Sequence, residues 1–478
     1  MTTPERSTGS ESPGRDKQVV STDQMGEKGA LPAAEKLAPD TAVEVHLDLR
    51  TQNRNALVFA AQVALIFLAA PVLYVGFVQG ALCKRLHTSD TIANLASSVY
   101  LAMAWFPVLA VWLIPQVRLL KRSISAAFAT SAIIGGVVAL VLLVDGPAWL
   151  VIGALVVHAG VVGSANGVIN TFNWEALGRG VSEKGRGKAL ALAMGVGPVF
   201  AIIGSLASQL ILKGEAFGWK PPGWPEVPYP YNFALLFGAS VPILLLASRL
   251  AAQYRIPLPE IEVEREPLGT AILGGFKQLF TNRLLLIACV AYLLMYSGHM
   301  IQNNISLYTK DVLGRPVADF VGYQNMLRFS FKMLAGFFLG WLLTRTNPKV
   351  PMLVTAGLDI ISVLWALFAP GYWFLLAFGI NGAGELFGAY YFVYPLACSP
   401  KSQMRRNMAL LSLISVPVGF APLFYGWISD TWNLRASMWV ALGVMVFTAA
   451  LVAKMLPSRP RPRAQDLLAA DLAEEKLK

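Results

Sequence analysis

Long apolar runs, broken by short polar or Gly/Pro-rich segments, repeat along most of the chain. A helix that crosses a bilayer needs about 20 mostly apolar residues, and runs of that kind occur at 56–82, 92–114, 124–144, 148–174, 188–212 and 231–251. A second set follows at 283–306, 319–343, 350–369, 371–398, 405–428 and 435–456. Only Pro370-Gly371 separates the ninth run from the tenth, a pair of residues that breaks helices. The pattern predicts an all-α membrane protein of twelve transmembrane helices.

The segments outside these runs divide the chain. Residues 1–55 mix Ser, Pro, Gly, Glu and Lys with almost no aromatics, a composition that reads as a disordered tail. No basic stretch followed by an apolar core opens the chain, so no cleaved signal peptide is expected. Between the sixth and seventh runs, 252–282 forms a linker with Glu260, Glu262, Glu264, Arg265 and Glu266. Within it Leu268, Ile272, Phe276, Leu279 and Phe280 share a helical face, as expected of a helix lying on the membrane surface. A charged tail, 457–478, ends the chain.

The halves 56–251 and 283–456 carry traces of a repeat. Gly160 and Gly163 recur as Gly379 and Gly382, Arg186 as Arg405 and Pro198 as Pro417, all at an offset of 219 residues. Asn53-Arg54 at the first run has a counterpart in Asn282-Arg283 at the seventh, 229 residues on. Two six-helix bundles related by a pseudo-two-fold axis along the membrane normal would produce such a repeat.

Composition agrees with a membrane protein. Apolar residues make up 55% and charged residues 14%, against roughly a quarter charged in soluble domains, and mean hydropathy is +0.54. The net charge of +11 is spread over short loops rather than gathered on one basic face, so nucleic acid is not an expected partner. With an inside N-terminus, the inner connections hold seventeen Lys and Arg, among them Arg118, Lys121, Arg122, Arg179, Lys184, Arg186 and Lys188. The outer ones hold seven: Lys84, Arg85, Lys213, Lys220, Lys310, Arg315 and Arg435. The excess of positive charge inside places both termini in the cytoplasm. Cys83, Cys289 and Cys398 are scattered without metal-like spacing, so neither a metal site nor a cofactor is expected.

The loop Gly340-Trp-Leu-Leu-Thr344-Arg345-Thr-Asn347-Pro348-Lys349 resembles the G-x-x-x-D-R-x-G-R-K signature of the major facilitator superfamily. Gly340, Arg345 and Lys349 match; Thr344, Asn347 and Pro348 replace the acid, a glycine and an arginine. Gly197-Pro198 is similar to the family's helix-5 motif, with Ala201 in place of a glycine. The resemblance covers 56–456. It implies alternating access around a central cavity lined chiefly by helices 1, 4, 7 and 10, with Gly340, Arg345 and Lys349 in a gating loop.

Ionisable groups deep in a membrane cost at least ~2.5–3.5 kcal/mol each on insertion scales, and are usually paired or functional. Five stand 9 to 16 residues from the cytoplasmic ends of their runs: His299, Arg328, Lys332, Asp359 and Glu385. Lys332 and Asp359 are candidates for a structural charge pair. Glu385, on a helix expected to line the cavity, is the candidate for ion coupling, with a salt bridge to helix 8 as the competing role. Neutral polar residues fall in stripes: His158, Asn166, Asn170 and Asn173 on helix 4, and His299, Gln302, Asn303 and Ser306 on helix 7. Each stripe stays within about 120° at about 100° per residue. Helix 8 adds Gln324 in register with Arg328 and Lys332, and Tyr391 on helix 10 is a candidate either to stack on a sugar or simply to pack. Such stripes either hydrogen-bond helices together, at ~0.6 kcal/mol per contact, or line a polar path.

These features predict a monomeric secondary transporter in the plasma (inner) membrane. It would move a small polar solute, with an acidic sugar or organic anion favoured, and couple to protons or sodium ions. A drug or metabolite exporter of the same fold is the alternative. A membrane-embedded lipid-modifying enzyme is the less favoured one, because no catalytic cluster appears in the loops.

Overall fold

The computed structural model describes residues 47–257 (apart from 75 and 115), 269, 282–397, 411 and 413–458. The N-terminal tail to residue 46, the surface helix expected from Leu268 to Phe280 (Gly269 aside), Cys398, Arg405 and the C-terminal tail beyond residue 458 lie outside the described residues.

The first bundle contains α1 (Leu49–Leu68, Ala70–Leu73 and Phe77–Arg85), α2 (Asp90–Leu113), α3 (Val117–Leu143), α4 (Ala148–Gly180), α5 (Glu183–Lys213) and α6 (Tyr231–Ala251). The second contains α7 (Arg283–His299 and Gln302–Leu313), α8 (Val321–Arg345), α9 (Lys349–Phe368), α10 (Gly371–Leu375, Leu376–Gly384 and Phe387–Ala397), α11 (Ser415–Val418 and Phe420–Thr431) and α12 (Leu434–Met455). Among the described residues, nine of these spans are long and apolar enough to cross a membrane, α7 among them despite its joint; α1, α10 and α11 are broken into shorter pieces. Large apolar side chains such as Ile133, Leu140, Phe337, Trp341 and Phe447 point outward, a surface that suits lipid.

Side chains cap the helix starts. Asp48 accepts the amide of Thr51 and Asn282 that of Leu285, satisfying donors that a helix start leaves free. The first span starts at Leu49, seven residues earlier than the apolar run, because the cap and not hydropathy sets the boundary. Asn53-Arg54 therefore lies inside α1, whereas Asn282 caps α7.

The glycine repeat has a steric basis. A Cβ on Gly163 of α4 would run into the carbonyl of Tyr100 on α2, and one on Gly382 of α10 into the carbonyl of Arg328 on α8. Gly160 and Gly379 likewise face Val99 and Phe331. Each bundle thus has one close helix crossing at repeat-related positions.

The polar links that join the bundles cluster at the end remote from Leu49 and Met455. Asp430 of α11 accepts the backbone amides of Asp90 and Thr91 (2.7 and 2.9 Å) and the Thr91 hydroxyl (2.6 Å). Asp319, before α8, meets Lys213, Arg315 and, at 3.9 Å, Arg85. Gln209 donates to the Asp319 carbonyl, Asn94 donates to Asn304, and Gly419 and Gly426 let α11 lie against the backbone of α2. The bundles are closed together at this far end.

Candidate functional site

The second bundle brings its deep charges together through glycine. Gly379 and Gly382 seat α10 against α8, and Gly384 seats it against α9, where a Cβ would collide with the Asp359 carboxylate. Directly after Gly384, α10 is interrupted as far as Phe387, and Glu385 occupies the gap. Its carboxylate takes both arms of the Arg328 guanidinium, Nε to Oε2 and Nη2 to Oε1, each at 2.8 Å. Lys332 Nζ stands 3.2 Å from the same Oε1. Two cations thus share one acid, and the bidentate geometry fixes Arg328 in direction as well as charge. The guanidinium also lies over Phe77 of α1 and Phe329 of α8, at 5.5 and 5.7 Å.

The first bundle meets this cluster with aromatic rings. Phe67 and Tyr74 pack on Phe329, the ring over which the Arg328 guanidinium lies. Asn166 donates to the Tyr100 hydroxyl at 3.1 Å. The break in α1 that frees Tyr74 is bridged by Gln79, whose amide oxygen accepts from Gly76 N while its nitrogen donates to Val72 O. Gly76 (φ +157°) faces Asn303 so closely that a Cβ would lie 2.6 Å from Asn303 Oδ1.

Behind the cluster, Asp359 is fully buried. It pairs with His299 (Nδ1 to Oδ1, 3.1 Å) and accepts from Asn381 Nδ2 at 3.3 Å. The expected Lys332–Asp359 pair is therefore not formed. Residue counting put the two at similar depth on adjacent helices, but the glycine notch draws α10 onto α8, so both cations meet Glu385 while Asp359 meets α7. Tyr391, fully buried, stacks edge-on against Phe387, which also covers His299.

The neutral stripes divide. His158 packs edge-on against Phe237 of α6, away from the charges. Asn173 accepts from Tyr254, which also reaches Gln62, inside the first bundle. Asn170 is exposed. On α8, Gln324 is engaged by Ser306 and Thr309 of α7, and so ties helices together. Gln302 is buried with its amide oxygen unpartnered. Of the expected gating loop, Gly340 and Arg345 lie in the last turns of α8 and Lys349 opens α9; Arg345 stacks on Trp341, Lys349 donates to Ala453 O of α12, and Gly340 has open space around it. Tyr74, Tyr100 and Asn381 were not among the expected site residues; for Asn381, its i,i+4 spacing to Glu385 was the available signal.

Comparisons with known proteins fit this geometry. The family model for the Major Facilitator Superfamily matches residues 55–415, and no curated protein matches the chain. Among solved structures, the nucleoside transporter NupG is similar over 85% of this chain and 99% of its own (13% identity, TM-score 0.59). A D-xylose-proton symporter covers 85% and 98% (16%, 0.61), and the inward-open xylose transporter XylE from E. coli covers 85% and 95% (15%, 0.56). At such identities the likeness concerns the fold. The chain belongs to the major facilitator superfamily, as a multi-pass membrane transporter and not an enzyme.

Proposed function

We propose that the chain is a secondary active transporter of a small polar solute bearing one negative charge, such as an acidic sugar or organic anion. The observation that carries this reading is the sharing of Glu385 by Arg328 and Lys332, which leaves that cluster with one more cation than acid. A buried surplus charge is costly, and a carboxylate-bearing solute would offset it. Tyr74, Tyr100 and Tyr391 would supply ring faces and hydroxyls for the rest of such a solute.

Transport would proceed by alternating access, monomerically, in the plasma (inner) membrane with both termini cytoplasmic. Rupture of the Asp430 and Asp319 links would accompany opening at the far end. A proton or sodium gradient would drive accumulation. The D-xylose-proton symporter is one solved member of the same fold that is named for proton coupling.

The test is uptake by proteoliposomes of labelled acidic sugars and carboxylates beside their neutral analogues. The anions should enter and compete with one another. Uptake restricted to the neutral analogues would overturn the reading.

A further inference from the structure

We infer that the coupling ion is a proton, held by the buried His299–Asp359 pair, and that Glu385 is instead the fixed counter-charge of the solute site. This rests on the reading of the chain as a transporter of an anion.

Glu385 is ill placed to take a proton. Neutralising it would strand Arg328 and Lys332 together, and removing one member of a buried ionic group is strongly unfavourable. Asp359 is in the opposite position. Its partners are an imidazole and an amide, with Asp359 Oδ2, His299 Nε2 and Asn381 Oδ1 all buried and unpartnered. An ionised carboxylate beside a neutral imidazole leaves one negative charge in an apolar interior. One added proton, on either ring or carboxyl, makes the pair neutral, and histidine is the side chain suited to exchanging protons in the physiological range.

Every packed neighbour bears on this assignment. From α8 the charged groups are Arg328 and Lys332, and from α10 Glu385, with Tyr391 beside it. From α7 come Tyr292 and Tyr296, stacked on each other and packed on Phe387. From α12, Met445 and Ala441 meet Gly298, and neither carries charge. Asp430, the charged residue of α11 among those described, is occupied by α2 at the far end. Gly384, the residue before Glu385, packs directly on the Asp359 carboxylate, so the proton site and the solute site are close enough for charge at one to be felt at the other.

The charges then balance in a way that couples the two loads. Arg328, Lys332, Glu385 and the deprotonated pair sum to zero. Binding a proton leaves one positive charge, and binding a monoanion restores neutrality. Each load favours the other, which is the requirement for symport of one proton with one anion. Asp359 sits on the unbroken α9, but α7, which carries His299, is jointed between His299 and Gln302, and the neighbouring α10 between Gly384 and Phe387. The Phe387 ring covers His299, with centroids 4.9 Å apart.

pH-difference infrared spectroscopy on the purified full chain in lipid tests this without any solute. Beyond the bands of the exposed acids and histidines, acidification should produce a further carboxyl and imidazole change from the buried pair, and Asp359→Asn, which preserves shape, should abolish that further change. The double variant Lys332→Gln/Glu385→Gln, which leaves no stranded pair of cations, should retain it, and His299→Gln should alter it. A wild type without such a change, a change that survives Asp359→Asn, or one lost in the double variant would overturn the assignment, provided each variant elutes as a single species. In proteoliposomes, Asp359→Asn should reduce pH-driven accumulation to equilibration while leaving anion exchange intact. Accumulation driven by sodium alone would also overturn it, whereas no accumulation under any gradient would instead sink the transport reading.

Discussion

Gly382 lies so close against the backbone carbonyl of Arg328 that no Cβ fits between them. This contact sets the distance between α8 and α10, and so the salt bridge to Glu385. Gly382→Ala should therefore lower stability by about 1–3 kcal/mol, the usual cost of overpacking, and weaken solute binding at the same time. Gly357→Ala in α9, where a Cβ meets open space, should be neutral or stabilising by up to about 1 kcal/mol. Thermal melts of the two variants should separate clearly; equal melting temperatures would refute the steric account.

Glu385 and its two cations should behave as a unit. Glu385→Gln alone leaves Arg328 and Lys332 facing each other, and breaking a buried ionic group typically costs about 3–5 kcal/mol, less here because Lys332 is partly open to solvent. Adding Lys332→Gln should restore much of the lost stability. A double variant no more stable than the single one would show that the cations are not coupled through Glu385.

Asp430 should hold the far end shut. Asp430→Asn weakens its hold on Asp90 and Thr91, so spin labels at Thr88 and Trp432 should report a larger population of long distances than in the wild type. An unchanged distance distribution would remove the latch from the account.

Both termini should face the cytoplasm. Reporter fusions at the C-terminus and after Lys213 should give opposite sidedness, and signals on the same side would invert the topology.

Much of this architecture was legible in the sequence because bilayer thickness imposes a length on every span and turns topology into counting. The glycine offset of 219 marked the helix crossings, and the deep ionisable residues of the second half were visible as exceptions to apolar runs. Azimuth was not legible. Depth alone paired Lys332 with Asp359, whereas Gly379, Gly382 and Gly384 rotate and draw α10 so that Glu385 takes both cations and Asp359 takes His299. The stripe on α4 was only partly legible for a related reason: a polar face records hydrogen-bonding need without naming the partner, and Tyr100 and Tyr254 meet that need for Asn166 and Asn173. The contribution of Tyr74 depends on the break in α1 near Gly76, which periodicity does not reveal.

The central claim is that one surplus cation among the spans recruits an anionic solute whose movement is coupled to an ion gradient. Its most direct test is accumulation of a labelled acidic sugar in proteoliposomes under an imposed pH gradient, comparing wild type with Arg328→Gln. The wild type should concentrate the anion severalfold above equilibrium and ignore its neutral analogue, and Arg328→Gln should abolish that accumulation. Accumulation of the neutral analogue, or undiminished anion accumulation by Arg328→Gln, would contradict the account.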